Sequence, residues 1–127
     1  MIQTKYAGNK KVDVEIGGFT VHTDLPAVMN GDNSAPNPFD LFVASFAACT
    51  AVFAMLYLDK VGLSKEGVNV ALDPVFTKEG YMESAKVIVT VPADFPANHE
   101  KGLISMVEHC KVGKHLNVPH QVVLVRK

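Results

Sequence analysis

Between Leu41 and Leu58 the chain reads LFVASFAACTAVFAMLYL, eighteen residues without a charge. A run of that length sits at the lower edge of what crosses a bilayer as a helix. Three features oppose a span: Ser45, Cys49 and Thr50 interrupt the run, one flank lacks basic residues, and the segments on either side carry amphipathic β patterns that a span would strand on opposite faces of a membrane. The run is therefore expected to be the central helix of a water-soluble fold. Its start is marked by Asn37, a preferred N-cap, by Pro38 at the first helical position, and by Asp40 beside the positive helix end. It should reach about Lys60, with Gly62 ending it. Apolar on nearly every face, it is expected to be surrounded by other elements and to lie across a sheet.

The flanking segments supply that sheet. Gly8-Asn9 and Gly17-Gly18 separate the alternating runs Ile2/Thr4/Tyr6, Val12/Val14/Ile16 and Phe19/Val21, which predicts a three-stranded meander. Residues 25–36 hold two Pro, Gly, two Asn, Asp and Ser, and read as a long surface loop. After the helix, residues 68–77 and 82–92 form a second hairpin turning near Glu79-Gly80, with Val87, Val89 and Val91 on one face. Ala97–His109 places Leu103, Met106 and Val107 at helical spacing. A short helix at Val112–Leu116, the break Val118-Pro119 and a last strand Gln121–Val125 complete the order. This succession predicts an α+β domain over residues 1–127, with sheet and helices segregated and no parallel alternating sheet. Open sheet edges and an apolar helix with too little cover point to a homodimer.

Charge narrows the functional classes. The chain has 127 residues, net charge −1 and 20% charged residues, so no basic field is available to gather nucleic acid. Eleven of the twelve basic side chains are Lys; the only Arg is Arg126. Bidentate guanidinium clamps on an anion are thus nearly excluded. Two cysteines are too few for a secreted disulfide scaffold, and the N-terminal residues lack a signal-like apolar core, so a reducing, cytoplasmic setting is expected.

Chemistry, if present, belongs to Cys49 and Cys110. Cys49 lies mid-helix with Phe42 and Ser45 before it and Phe53 and Leu56 after it; taken alone, it reads as a small buried hydrophobe, beyond the reach of the helix dipole. Cys110 differs. It sits at a helix junction between His109 and Lys111, a setting that lowers a thiol pKa, although an inert helix-end Cys is as good an account. The histidines His22, His99, His109, His115 and His120 have no metal-ligand spacing, and no cofactor or metal is expected. Asp40 is better explained as a helix-start charge than as a general acid. A Ser nucleophile elbow, a Walker loop and a dinucleotide glycine fingerprint are all absent.

Asn37-Pro38 leading into Leu41-Phe42-x-Ala44-x-x-Ala47-Ala48-Cys49, followed by Cys110-Lys111-Val112-Gly113-x-x-Leu116, resembles the two signatures of the OsmC/Ohr family of thiol hydroperoxide reductases. The resemblance covers nearly the whole chain. It implies an OsmC-like fold of antiparallel meanders around a long central helix, in an intertwined homodimer with active sites at the subunit interface. It further implies that Cys49 is the peroxidatic thiol and Cys110 the resolving one. Cys49 as thiolate would attack an organic hydroperoxide, release an alcohol and become a sulfenic acid. Cys110 would close a disulfide, and a dithiol reductant would reopen it. Phe39, Phe42 and Phe53 would line an apolar pocket.

One departure bears on activation. The family's peroxidases carry a Glu after Asn-Pro, paired with an Arg from the N-terminal loop; here that position is Phe39, and the loop offers Lys10 and Lys11. Asp40, one residue on, is turned about 100° around the helix. Lys10, Lys11 and Asp40 are the activating candidates. Three functions stay open: hydroperoxide reduction, thiol–disulfide exchange or redox sensing, and binding of a small hydrophobic ligand with both thiols passive.

Overall fold

The computed structural model describes residues 2–116 and 119–127; Val118 of the expected Val118-Pro119 break lies outside them. The chain divides into two compact units, Met1–Ala44 and Ser45–Lys127.

The first unit is built on an antiparallel meander of β1 (Gln3–Tyr6), β2 (Val12–Ile16) and β3 (Phe19–Thr23). Its register sets Tyr6 opposite Val12 and Ile16 opposite Phe19. The two turns fall on the expected pairs, Gly8-Asn9 and Gly17-Gly18, whose four residues all have positive φ, the backbone that tight hairpins of right-handed twist need. The loop that follows is organised by one buried carboxylate. Asp24 accepts hydrogen bonds from the Leu25 amide (2.7 Å), the Ser34 amide (2.9 Å) and the Ser34 hydroxyl (2.6 Å), which cinch the loop back on itself.

Helix α1 (Pro38–Val61) begins in the first unit and continues in the second. Asn37 caps it as expected: its Oδ1 accepts from the Asp40 amide (2.9 Å), and its side-chain amide donates to the Asp40 carboxylate (3.1 Å). At the other end Gly62, with φ +72°, ends the helix. The Leu63 amide bonds the Leu58 carbonyl and the Gly62 amide bonds that of Asp59, a Schellman closure.

The second unit packs the rest of α1 and helix α2 (Glu100–Glu108) with a sheet of β4 (Asn69–Phe76), β5 (Met82–Val91) and β6 (His120–Arg126) in the order β4-β5-β6. Val87, Val89 and Val91 on the central strand are fully buried, and with Phe46, Ala54, Leu58, Leu103 and Val107 they form the core. Burying each such aliphatic side chain stabilises the fold by about 1.5–3 kcal/mol.

Two expectations are corrected here. β6 pairs with β5 in parallel, so this sheet is mixed rather than an antiparallel meander. The connection from Val91 to His120 carries α2 across before the chain returns, which is what a parallel neighbour requires. Nor is α1 surrounded within the chain: only Phe46, Thr50, Ala54 and Leu58 are buried, a single stripe spaced by four. Val52 and Leu56 remain 53% and 47% exposed.

The chain's single guanidinium is committed to the β5–α2 connection. Arg126 donates from Nη1 to the carbonyls of Pro92, Ala93 and Phe95, and from Nη2 to the Glu100 carboxylate.

Candidate functional site: a thiol pair at the end of the second helix

Cys49 stands at the rim of the buried stripe of α1, between Phe46 and Thr50, and is half-buried. Thr50 is fully enclosed and spends its hydroxyl on the Ala47 carbonyl (2.7 Å), so no competing polar hydrogen faces the stripe from that side chain. Cys110 reaches the same place from the other direction. After the last turn of α2 its amide bonds the Val107 carbonyl (3.1 Å), and its carbonyl accepts from Lys114 (3.0 Å) as the chain tightens into a 3-10 turn at Gly113–His115.

The two sulfurs are brought together by consecutive amides. Val112 N–H donates to Cys49 Sγ at 3.5 Å, and Gly113 N–H to Cys110 Sγ at 3.3 Å. The Cys49 side chain adjoins that of Cys110 closely enough to influence its titration, and both are free thiols. Backbone donors are fixed partial positive charges, and at Cys110 the Gly113 and Val112 amides favour charge on sulfur.

Cys110 does not behave as its neighbours in sequence suggest. His109 and Lys111 were expected to acidify it, yet both side chains are exposed, whereas Cys110 is 1% exposed. Burial pushes its thiol pKa up; the Gly113 amide works against that shift, and the adjoining Cys49 side chain adds to it. His109 and His115 each spend Nδ1–H on a backbone carbonyl four residues back, Ser105 and Lys111 respectively. Cys110 is thus a thiol held neutral at the floor of the site, and Cys49 is the more accessible of the two.

Three residues to which the sequence assigned no role at the site complete the surroundings. Phe46 and His120 meet edge to face, ring centroids 5.5 Å apart and planes at 88°. Gly113 fits between them and the thiol: a Cβ there would lie 3.3 Å from Phe46 Cε1, 3.5 Å from His120 Nε2 and 3.6 Å from Cys110 Sγ. Phe46 was readable in principle, being three residues before Cys49 on the side of the helix that meets the sheet. His120 was not, because only the parallel return of β6 delivers it.

The other sequence candidates lie as follows. Phe53 is half-buried in the second unit. In the first unit, Lys11 binds Asp32 at 2.5 Å, which raises its pKa; Lys10 is exposed in the β1–β2 turn; Asp40 serves the cap of α1; and the rings of Phe39 and Phe42 stack with centroids 6.0 Å apart. Among the described residues no three His, Cys, Asp or Glu side chains converge as metal ligands.

By length and composition α1 could cross a membrane, with a mean hydropathy of 2.2 over its best window. Its four buried side chains include Phe46, Ala54 and Leu58, which join one stripe of the helix to the core of the second unit.

Comparison with known proteins agrees with this architecture. No curated protein matches the sequence. Among solved structures, a Psychrobacter arcticus protein named for osmotic-stress induction and detoxification superposes with a TM-score of 0.79 at 16% identity, covering 99% of this chain and 94% of its own. A Legionella pneumophila organic hydroperoxide resistance protein gives 0.64 at 19% identity, with coverage of 100% and 95%. One from Elizabethkingia anophelis, solved with thiocyanate bound, gives 0.66 at 16%, with coverage of 99% and 94%. The family model for OsmC-like proteins matches residues 31–124, a span that holds α1 and both cysteines, and the chain belongs to that family.

Proposed function

We propose that this protein reduces organic hydroperoxides to alcohols in the cytoplasm, using Cys49 as the peroxidatic thiol and Cys110 as the resolving thiol, as part of oxidative-stress defence. The observation that carries the proposal is the meeting of two free thiols, remote in sequence, on the successive amides of Val112 and Gly113. The Cys49 thiolate attacks the distal peroxide oxygen, the O–O bond breaks, the alkoxide leaves and takes up a proton, and sulfur is left as sulfenic acid. Cys110 then attacks that sulfur, expels water and closes the disulfide. A dithiol reductant reopens it by exchange. The half-buried setting of Cys49 beside apolar side chains suits an organic rather than an inorganic peroxide. Phe39, Phe42 and Phe53 are our candidates for the apolar wall. Lys10, Lys11 and Asp40 are our candidates for the charge that the family's Glu and Arg supply elsewhere.

A slight excess of an organic hydroperoxide on the reduced protein should form the Cys49–Cys110 disulfide within seconds, and a dithiol should reverse it. If both thiols stay free while a simple thiol in the same tube is oxidised at a comparable rate, the enzyme proposal fails. The commitment of Arg126 to the β5–α2 loop favours a second reading, thiol–disulfide exchange, because the only fork able to hold thiolate and peroxide together is used elsewhere. That reading expects fast reaction with small disulfides, a mixed adduct trapped on Cys49 in Cys110→Ser, and slow reaction with hydroperoxides.

A further inference from the structure

We infer that His120 is the proton acceptor for Cys110 when that thiol closes the disulfide, acting across the gap that Gly113 leaves by having no side chain; the inference rests on the thiol-pair function proposed above. His120 Nε2 and Cys110 Sγ lie 3.5 and 3.6 Å from the point where a Cβ on Gly113 would sit, so the two atoms are no farther apart than the sum of those distances and no side chain at position 113 stands between them. The proton passes between the two side chains beside Gly113, directly or by way of one bridging water. Edge-to-face packing on the fully buried Phe46 holds the imidazole at this wall. His120 is half-buried and also borders an open cavity of about 470 Å³ that touches Glu108, His109, Lys114 and Gln121. A second of ≈ 280 Å³ brings Asp73 and Lys86 to it. His120 therefore stands between an enclosed thiol and solvent.

The need for such a group follows from burial. A thiol with 1% exposure does not lose its proton to bulk water unaided, and only the thiolate attacks. In the closing step the Cys110 proton passes to His120, Cys110 sulfur bonds Cys49 sulfur, the S–O bond of the sulfenic acid breaks, and the departing hydroxide recovers that proton as water. With a mixed disulfide on Cys49 the same transfer serves, and the leaving thiolate takes the proton. On reduction the sequence reverses, and imidazolium protonates Cys110 as it leaves. The charged and titratable groups that share these two cavities with His120 are Asp73 of β4, Lys86 of β5, Glu108 and His109 at the end of α2, and Lys114 of the 3-10 turn.

The test is the rate of the closing step in His120→Gln and His120→Asn, each checked for a native melting transition. Reduced protein is mixed with an organic hydroperoxide, or in a separate arm with 2-hydroxyethyl disulfide, and Cys49 oxidation and disulfide closure are timed separately by quenching and mass spectrometry. We expect closure to slow at least about tenfold in both variants, to lose its inflection in the imidazole pH range, and to be partly restored by added imidazole. Closure at the wild-type rate with the wild-type pH profile, in whichever arm closes, overturns the inference. If the hydroperoxide arm leaves wild-type Cys49 unoxidised while the disulfide arm closes, the peroxidase proposal fails and the role of His120 is still decided. If neither arm closes in the wild-type protein, both fail. Should one variant melt early, the other decides.

Discussion

Cys110 is the residue at which neighbours in sequence and neighbours in space disagree. Flanked by His109 and Lys111 it looks acidic; enclosed to 1% exposure, with its pKa raised above the ordinary 9.0, it keeps its proton at neutral pH. Because the folded protein holds the thiol protonated, the stability linked to it is full below about 9.0 and is lost as the pH rises from there through the raised folded-state value. Alkylation should read the same asymmetry. Near neutral pH, iodoacetamide should label Cys49 first, with Cys110 lagging by at least about tenfold until denaturant is added; peptide mass spectrometry over a time course checks this, and equal rates would contradict it. Gly113 provides a second measurement. The methyl of Gly113→Ala would press on Phe46 at 3.3 Å, while touching His120 at 3.5 Å and Cys110 at 3.6 Å in ordinary contact. Overpacking of this kind costs about 1–3 kcal/mol, readable as a lower urea midpoint.

Elements whose signals are local were legible in the chain. The meander follows from two positive-φ turn pairs, and the start of α1 from Asn37 and Asp40 bonding each other. The two cysteine motifs were legible as well, and the fold brings their thiols onto the successive amides of Val112 and Gly113. What could not be read depends on partners far along the chain. A helix apolar on every face does not say which face meets the sheet, so Phe46 was passed over in favour of Phe42 and Phe53; β6 carries no mark of its parallel pairing, so His120 stayed one histidine among five. The loop after β3 hid its organiser in the same way, since Asp24 looks like any turn residue until Ser34 folds back onto it. The Ser34 hydroxyl, then its amide, hold the Asp24 pKa down to about 2, against an ordinary 3.8. The stabilisation this brings is fully present above the ordinary value and disappears as the pH falls from about 3.8 to about 2. Amide exchange at Leu25 and Ser34 should accordingly quicken across that window, and Asp24→Asn should show quick exchange at neutral pH with no such acid step. Protection that survives unchanged in Asp24→Asn would mean that the loop is held by something else.

At the scale of the whole molecule, the second unit presents an apolar surface that its own chain does not cover. The buried stripe of α1 runs through Phe46, Thr50, Ala54 and Leu58, and at 100° per residue Val52 and Leu56 fall on the opposite side, 53% and 47% exposed. Ala48 continues that row one turn earlier and is also exposed. A helix of mean hydropathy 2.2 turned outward along this row is costly in water, and a second copy offering the same row would bury both, as a two-fold interface requires. We therefore expect a homodimer that buries Val52 and Leu56. Val52→Glu with Leu56→Lys places charges where the partner's side chains would sit and leaves the buried stripe untouched, so the fold should persist while association is lost. Sedimentation velocity at micromolar concentration should show wild-type protein near twice the chain's 13.7 kDa and the double variant near that mass. Circular dichroism on the same samples separates loss of the interface from loss of the helix. A wild-type monomer, or a double variant that still sediments as a dimer, would exclude this face as the contact and require the exposed row to be covered in another way.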